Sequence, residues 1–277
     1  MYVNWLHMRF PWHPTKVCQF GLGRGRVPIF TAIWALTVLP IWLLLVRLPA
    51  AMGSKATWVP TLLLGYLVGT WLMLRADHRV GPLVIQKPWW PRQPSRALLA
   101  FIAGLGIAIL ASELGNIGED LLSRPLPIQD PSEYPGAPWP TAFLVGVVHP
   151  ACFMVVLVGI AQRRLLMLEK PHLTLMIIVF LGTLGVPLPQ LGQGALIVFF
   201  PAWLYMQTEQ LGLAISAYLP SGLVAGALVL GLGPKIQGFD VMLSGQPAFQ
   251  PIWFSATGAL LVAVGVAGLA VEFEGHG

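Results

Sequence analysis

Charged side chains are scarce in this 277-residue chain: Asp, Glu, Lys and Arg make up 10% of it, against 56% hydrophobic residues. A soluble domain carries about 25% charged residues. A chain this apolar, with a mean hydropathy of +0.74, has too few polar groups to cover a surface in water. Cysteine is nearly absent. Cys18 falls in a polar N-terminal segment and Cys152 in an apolar run, and neither has a C-x-x-C partner, so neither a disulfide nor a metal site is expected. No small-residue cleavage site follows the first apolar run at the right distance, so no cleavable signal peptide is expected. There is no H-E-x-x-H for zinc proteolysis and no G-x-S-x-G nucleophile turn. Gly21-Leu22-Gly23-Arg24-Gly25 is glycine-rich, but no strand precedes it, and it reads as a flexible basic turn. The net charge of +5 comes from basic residues that border apolar runs instead of forming one stripe, so nucleic acid is not an expected partner.

Long apolar runs are what the chain has in abundance. A spanning helix needs about 20 mostly apolar residues. Such runs lie near Val27–Leu48, Thr57–Leu74, Ala97–Leu114, Thr141–Ala161, Leu173–Leu191, Gly194–Met206, Leu211–Leu230 and Pro251–Val271. The sixth is short for a span. The expected fold is all-α, a multi-span transmembrane helical bundle of about eight helices. Residues 1–26 form a basic and aromatic cytoplasmic tail, and residues 27–277 a single transmembrane domain in contact with membrane lipid. Trp58, Trp89, Trp90, Trp139 and Trp253 lie near the ends of apolar runs, where amphipathic rings settle at the headgroup level. The tail, the segment from Arg75 to Arg96 and the segment from Arg163 to Lys170 hold about 12 of the 16 Lys and Arg residues. With eight spans these segments share one side, which makes that side cytoplasmic. The location expected is an inner or plasma membrane, multi-pass, with both termini in the cytoplasm. The loop from Gly115 to Pro140 carries Glu119, Asp120, Asp130 and Glu133 against Arg124 and is expected outside.

Ionisable residues within a span are costly and are candidates for function. Here they are Glu113 at the end of span three, His149 in span four beside Pro150, and Glu209 before span seven. Glu113 and His149 are candidates for an acid–base pair near the outer face. The plainer alternative is that Glu113 reaches the interface and His149 bonds a carbonyl. Thr183, Gln190, Gln193, Ser216 and Ser221 are mild polar groups at depth, and no internal repeat is evident, which argues against a carrier of charged solutes.

Pro201-Ala202-Trp203-Leu204-Tyr205-Met206-Gln207-Thr208, continued through Ile215, resembles a phrase of the CPBP family of intramembrane endopeptidases, the CAAX proteases and bacteriocin-processing enzymes also called the Abi family. The resemblance covers residues 147–225. It implies that Arg164 is the arginine of the first motif, E-E-x-x-x-R, with Gly159 and Ile160 standing where the glutamates belong. In the middle motif, F-x-x-x-H, Phe180 is present and Leu184 replaces the histidine. The last motif places its histidine 15 residues after Trp203, on Tyr218, with Ser221 or Gly222 at the following polar position. A glycine and a leucine neither accept nor deliver a proton. The resemblance therefore implies a pseudoenzyme with no catalytic residues, no cofactor and no metal. Such a protein acts as a partner, regulator or assembly subunit of another membrane protein, either an active protease of the family or a membrane-anchored substrate. An intramembrane protease using Glu113 and His149, a small-solute carrier and a structural subunit of a membrane complex are the other classes. The resemblance further implies that Gly159, Phe180, Leu184, Tyr218 and Ser221 converge in one bundle.

Reporter fusions near Ala137 and at the C-terminus are predicted to read opposite compartments. If both report the same one, the eight-span arrangement is wrong.

Overall fold

A computed structural model of the chain describes residues 27–52, 57–80, 91, 93–122, 138–166, 171–232, 236–239 and 249–274. The tail 1–26, with Cys18 and the glycine-rich turn, and Arg124, Asp130 and Glu133 lie outside the described residues. Eight helices run through the rest: α1 Val27–Met52, α2 Trp58–Val80, α3 Pro94–Leu122, α4 Pro138–Leu166, α5 Pro171–Gly182, α6 Leu191–Thr208, α7 Leu211–Val229 and α8 Ile252–Glu274. No strand occurs among the described residues. The protein is an all-α, multi-span helical bundle. Six of the helices (α1 to α4, α7 and α8) are long and apolar enough to cross a membrane.

Two boundaries differ from the sequence expectation. The fifth helix ends at Gly182 instead of running to Leu191. Beyond it the chain turns through Gly185, at a φ of 87° that suits glycine, then through Pro187 and a short 3-10 turn, Leu188–Gln190. The third helix continues to Leu122, so Gly115, Glu119 and Asp120 are helical and not loop. It persists because its extra turns pack closely: a Cβ on Gly118 would overlap the Pro189 carbonyl, and one on Gly115 would lie 2.5 Å from Gln193 Oε1.

Neighbours along the chain run antiparallel. Gly65 meets Val46 and Gly69 meets Trp42 across α1 and α2, and Gly182 meets Val198 across α5 and α6. Helices α3 and α8, distant in the chain, are antiparallel as well: Gly265 meets Ala103 and Gly258 meets Ile109. A two-residue link, Glu209–Gln210, joins α6 to α7, with Glu209 at a left-handed φ of 57°. One end of the bundle, here the basal end, thus holds the starts of α1, α3, α5 and α7 and the finishes of α2, α4, α6 and α8. The other end is the apical end.

Two apolar clusters form the interior. One joins α1, α2 and α4 to α5, α6 and α7 around Trp42, Met154, Leu157 and Ile160. The other joins α3 and α8 to α6 and α7 around Ala103, Phe200, Leu213 and Leu269. Trp42 is fully buried, and its indole N–H donates to Thr70 Oγ1 at 3.0 Å, which satisfies its polar edge. Contacts with α3 use small residues. A Cβ on Gly106 would overlap the Gly258 carbonyl and one on Gly104 the Ala217 carbonyl. Close backbone approach of this kind supplies van der Waals packing where lipid gives no hydrophobic drive between helices. The outward faces are apolar too: Leu64, Trp71, Met176, Ile252 and Leu260 are all exposed.

Gly104→Leu is predicted to destabilise the purified protein by about 1–3 kcal/mol, the usual cost of overpacking. Gly192→Ala is the control, because a Cβ there meets only Leu114 Cβ, at 3.9 Å. Thermal unfolding in mild detergent reads the difference, and equal midpoints would contradict the close approach of α3 and α7.

Candidate functional site

Helix α4 is not a uniform α-helix. It contains two π segments, Leu144–Val148 and Val155–Gln162, separated by one α-helical stretch, His149–Met154. A proline ring inside a helix clashes with the carbonyl four residues back, and the wider π turn before Pro150 relieves that clash. The second π segment delivers Gln162 and Arg164 to the interior, where both are buried.

Arg164 is held by Asp77, from the last turn of α2. Its Nε donates to Asp77 Oδ1 at 2.8 Å and its Nη2 to the Asp77 main-chain oxygen at 2.8 Å. The Trp34 indole N–H donates to the same Oδ1 at 2.9 Å, which brings in α1. Asp77 is 0% exposed and its Oδ2 has no hydrogen-bond partner among the described residues. Two residues earlier, Gln162 Nε2 donates to the Ala202 carbonyl at 2.7 Å and ties α4 to α6. Asp77 is the important residue that sequence reasoning missed. Its signal was a single acid between Arg75 and Arg79.

The positions named through the family resemblance divide into two groups. Ile160 is fully buried. Gly159 faces Leu211, whose Cδ2 would lie 3.1 Å from a Cβ there, so Leu211 and not Leu184 occupies the space beside it. Tyr218 packs into the same cluster, its ring 5.5 Å from that of Phe153. The Ser221 hydroxyl donates to the Tyr218 main-chain carbonyl at 2.7 Å. Phe180 and Leu184 do not join this group: Phe180 is 65% and Leu184 41% exposed. The reason is helical phase. Helix α5 buries Thr174, Leu175, Ile178 and Leu181 on one face, which turns Phe180 outward, and Leu184 lies in the turn beyond the helix end.

Among the described residues Glu113 and His149 share no partner. Glu113 Oε2 accepts from the Gln250 main-chain N–H at 2.9 Å and from Asn116 Nδ2 at 3.1 Å, closing the apical end of α3 against the start of α8. His149 faces α1 and α2 instead. Its ring lies 5.3 Å from Tyr66, 5.6 Å from Phe153 and 6.4 Å from Trp42. Its Nδ1 is buried with no hydrogen-bond partner among the described residues. Glu209, the third ionisable candidate, occupies the left-handed turn between α6 and α7. Among the described residues no three His, Cys, Asp or Glu side chains are grouped to hold a metal ion.

Comparison of the chain with protein-family models, with curated proteins and with solved structures finds no match.

Removing Arg164 would leave Asp77 buried and unpaired, so Arg164→Ala is predicted to cost about 3–5 kcal/mol. The double variant Asp77→Leu with Arg164→Met is predicted to regain most of that loss, because an apolar pair of similar volume needs no desolvated charge. Thermal unfolding of the three proteins in one detergent tests this, and a double variant no more stable than Arg164→Ala would contradict it.

Proposed function

We propose that this chain is a polytopic membrane protein that acts by binding and not by hydrolysis. In this reading it is a catalytically inactive relative of the CPBP intramembrane proteases, serving as a partner, regulator or assembly subunit of another membrane protein. The observation that supports this most directly is chemical. Gly159, Ile160 and Tyr218 offer no base where the resemblance requires one, and Asp77, the buried carboxylate of α2 that meets the end of α4, is bonded to Arg164 and Trp34. The likeness rests on the phrase around Trp203 and on Arg164, since Phe180 and Leu184 lie outside the group. The competing reading, proteolysis by Glu113 and His149, has no geometric support, because each faces a different set of helices.

Charge supports the orientation. Arg75, Arg79, Arg96, Arg163 and Arg164 all lie toward the basal end. An excess of basic residues marks the cytoplasmic side. The basal end, where α1 starts and α8 finishes, therefore faces the cytoplasm from an inner or plasma membrane in this reading. The expected partners are membrane lipid and another membrane protein, either an active protease of the family or a membrane-anchored substrate.

The purified chain is predicted to leave a panel of membrane-anchored and prenylated peptides uncut. Cleavage that disappears in Glu113→Gln or His149→Ala would overturn this proposal and restore the protease reading.

A further inference from the structure

An open crevice of about 380 Å³ lies between α1, α2 and α4 in the apical half of the bundle. Arg47 and Trp58, near the apical ends of α1 and α2, flank it. Leu144 and Val145 wall it, and Tyr66 and His149 supply its polar groups. The volume is at the small end of ligand pockets. It suits a headgroup with the first part of a chain, the remainder lying in the bilayer.

We propose that this crevice binds an anionic phospholipid of the apical leaflet, with the phosphate at Arg47 and the glycerol region against Tyr66 and His149. Three independent features point there. Arg47 stands apart from the other described arginines, which lie toward the basal end, and no described residue forms an ion pair with it. A cation held at the far end of the bundle beside an apolar recess is matched by an anionic amphiphile. His149 keeps a buried nitrogen with no partner, and an unsatisfied buried polar atom calls for a ligand or another such explanation. The wall is built from a π segment, Leu144–Val148, a feature that recurs at functional sites. The inference rests on the membrane-spanning reading but is independent of the protease resemblance.

Native mass spectrometry of the full chain in mild detergent tests it, with phosphatidylglycerol, phosphatidylcholine or inorganic phosphate added. Wild type is expected to retain phosphatidylglycerol in preference to phosphatidylcholine, and millimolar phosphate is expected not to displace it. Arg47→Gln is expected to lower occupancy about fivefold, the effect of one basic residue at an anionic surface. Val145→Trp fills the recess and is expected to abolish retention. His149→Phe keeps the ring packing and removes both nitrogens. It is expected to weaken retention without lowering the thermal midpoint, which a purely structural histidine would not do. Equal retention of phosphatidylcholine, displacement by phosphate, no retention by wild type, or variants that bind like wild type would each overturn the proposal. Peptidase activity would overturn the function proposed above and leave lipid retention standing, so the two fail separately.

Discussion

The Arg164 guanidinium and the Asp77 carboxylate are both withdrawn from solvent, and each makes the other tolerable. An ion of either sign placed alone in this interior costs several kcal/mol even after relaxation. Paired at 2.8 Å, with a second bond to the Asp77 main chain and a third from Trp34, most of that cost is offset. The net contribution of such a pair to stability is small, whereas breaking it is expensive. That asymmetry makes it a constraint on geometry. All three bonds tie α1, α2 and α4 together at the basal end, and the interior around Trp42 and Ile160 forms between these helices.

The other half of the bundle is organised on a different principle. Helices α3 and α8 are joined through glycine and alanine, with backbone close to backbone, and by the bonds of Glu113 and Asn116 to the segment leading into α8. Helices α6 and α7 take part in both apolar clusters and so join a half fixed by charge to a half fixed by shape. Trp203 packs against both clusters. The stretch from Pro201 to Ile215 therefore coincides with the seam between the halves.

Much of the architecture could be read from hydropathy, because a run of about 20 apolar residues is a direct consequence of bilayer thickness. Each of the eight runs corresponds to a helix. What hydropathy averages away is punctuation: Gly185, Pro187 and Pro189 end α5 within a stretch that still scores as apolar. The site was less legible. Asp77 looks like an interfacial charge between two arginines, and only Arg164, 87 positions later, makes it an interior residue. The spacing that selected Phe180 and Leu184 gives a place along the chain but not a helix face, and on α5 the buried face belongs to Ile178 and Leu181. Glu113 and His149 were recognisable as unusual, but which helices they face depends on packing that no local pattern records.

The two π segments of α4 have a consequence for how its ends are aimed. Each π turn holds one residue more than the α-helical count, and each residue of an α-helix advances the side chain by about 100°. Deleting one residue from Leu144–Val148 would restore ordinary winding locally and leave the residues beyond it close to their present azimuth, because the π turn has already absorbed the extra residue. The helix therefore behaves as three rods coupled through two adjustable joints. A residue lost at a joint therefore leaves the His149 ring and the Arg164 guanidinium on their present azimuths, whereas one lost from the α-helical stretch between the joints would turn Arg164 by about 100° relative to His149.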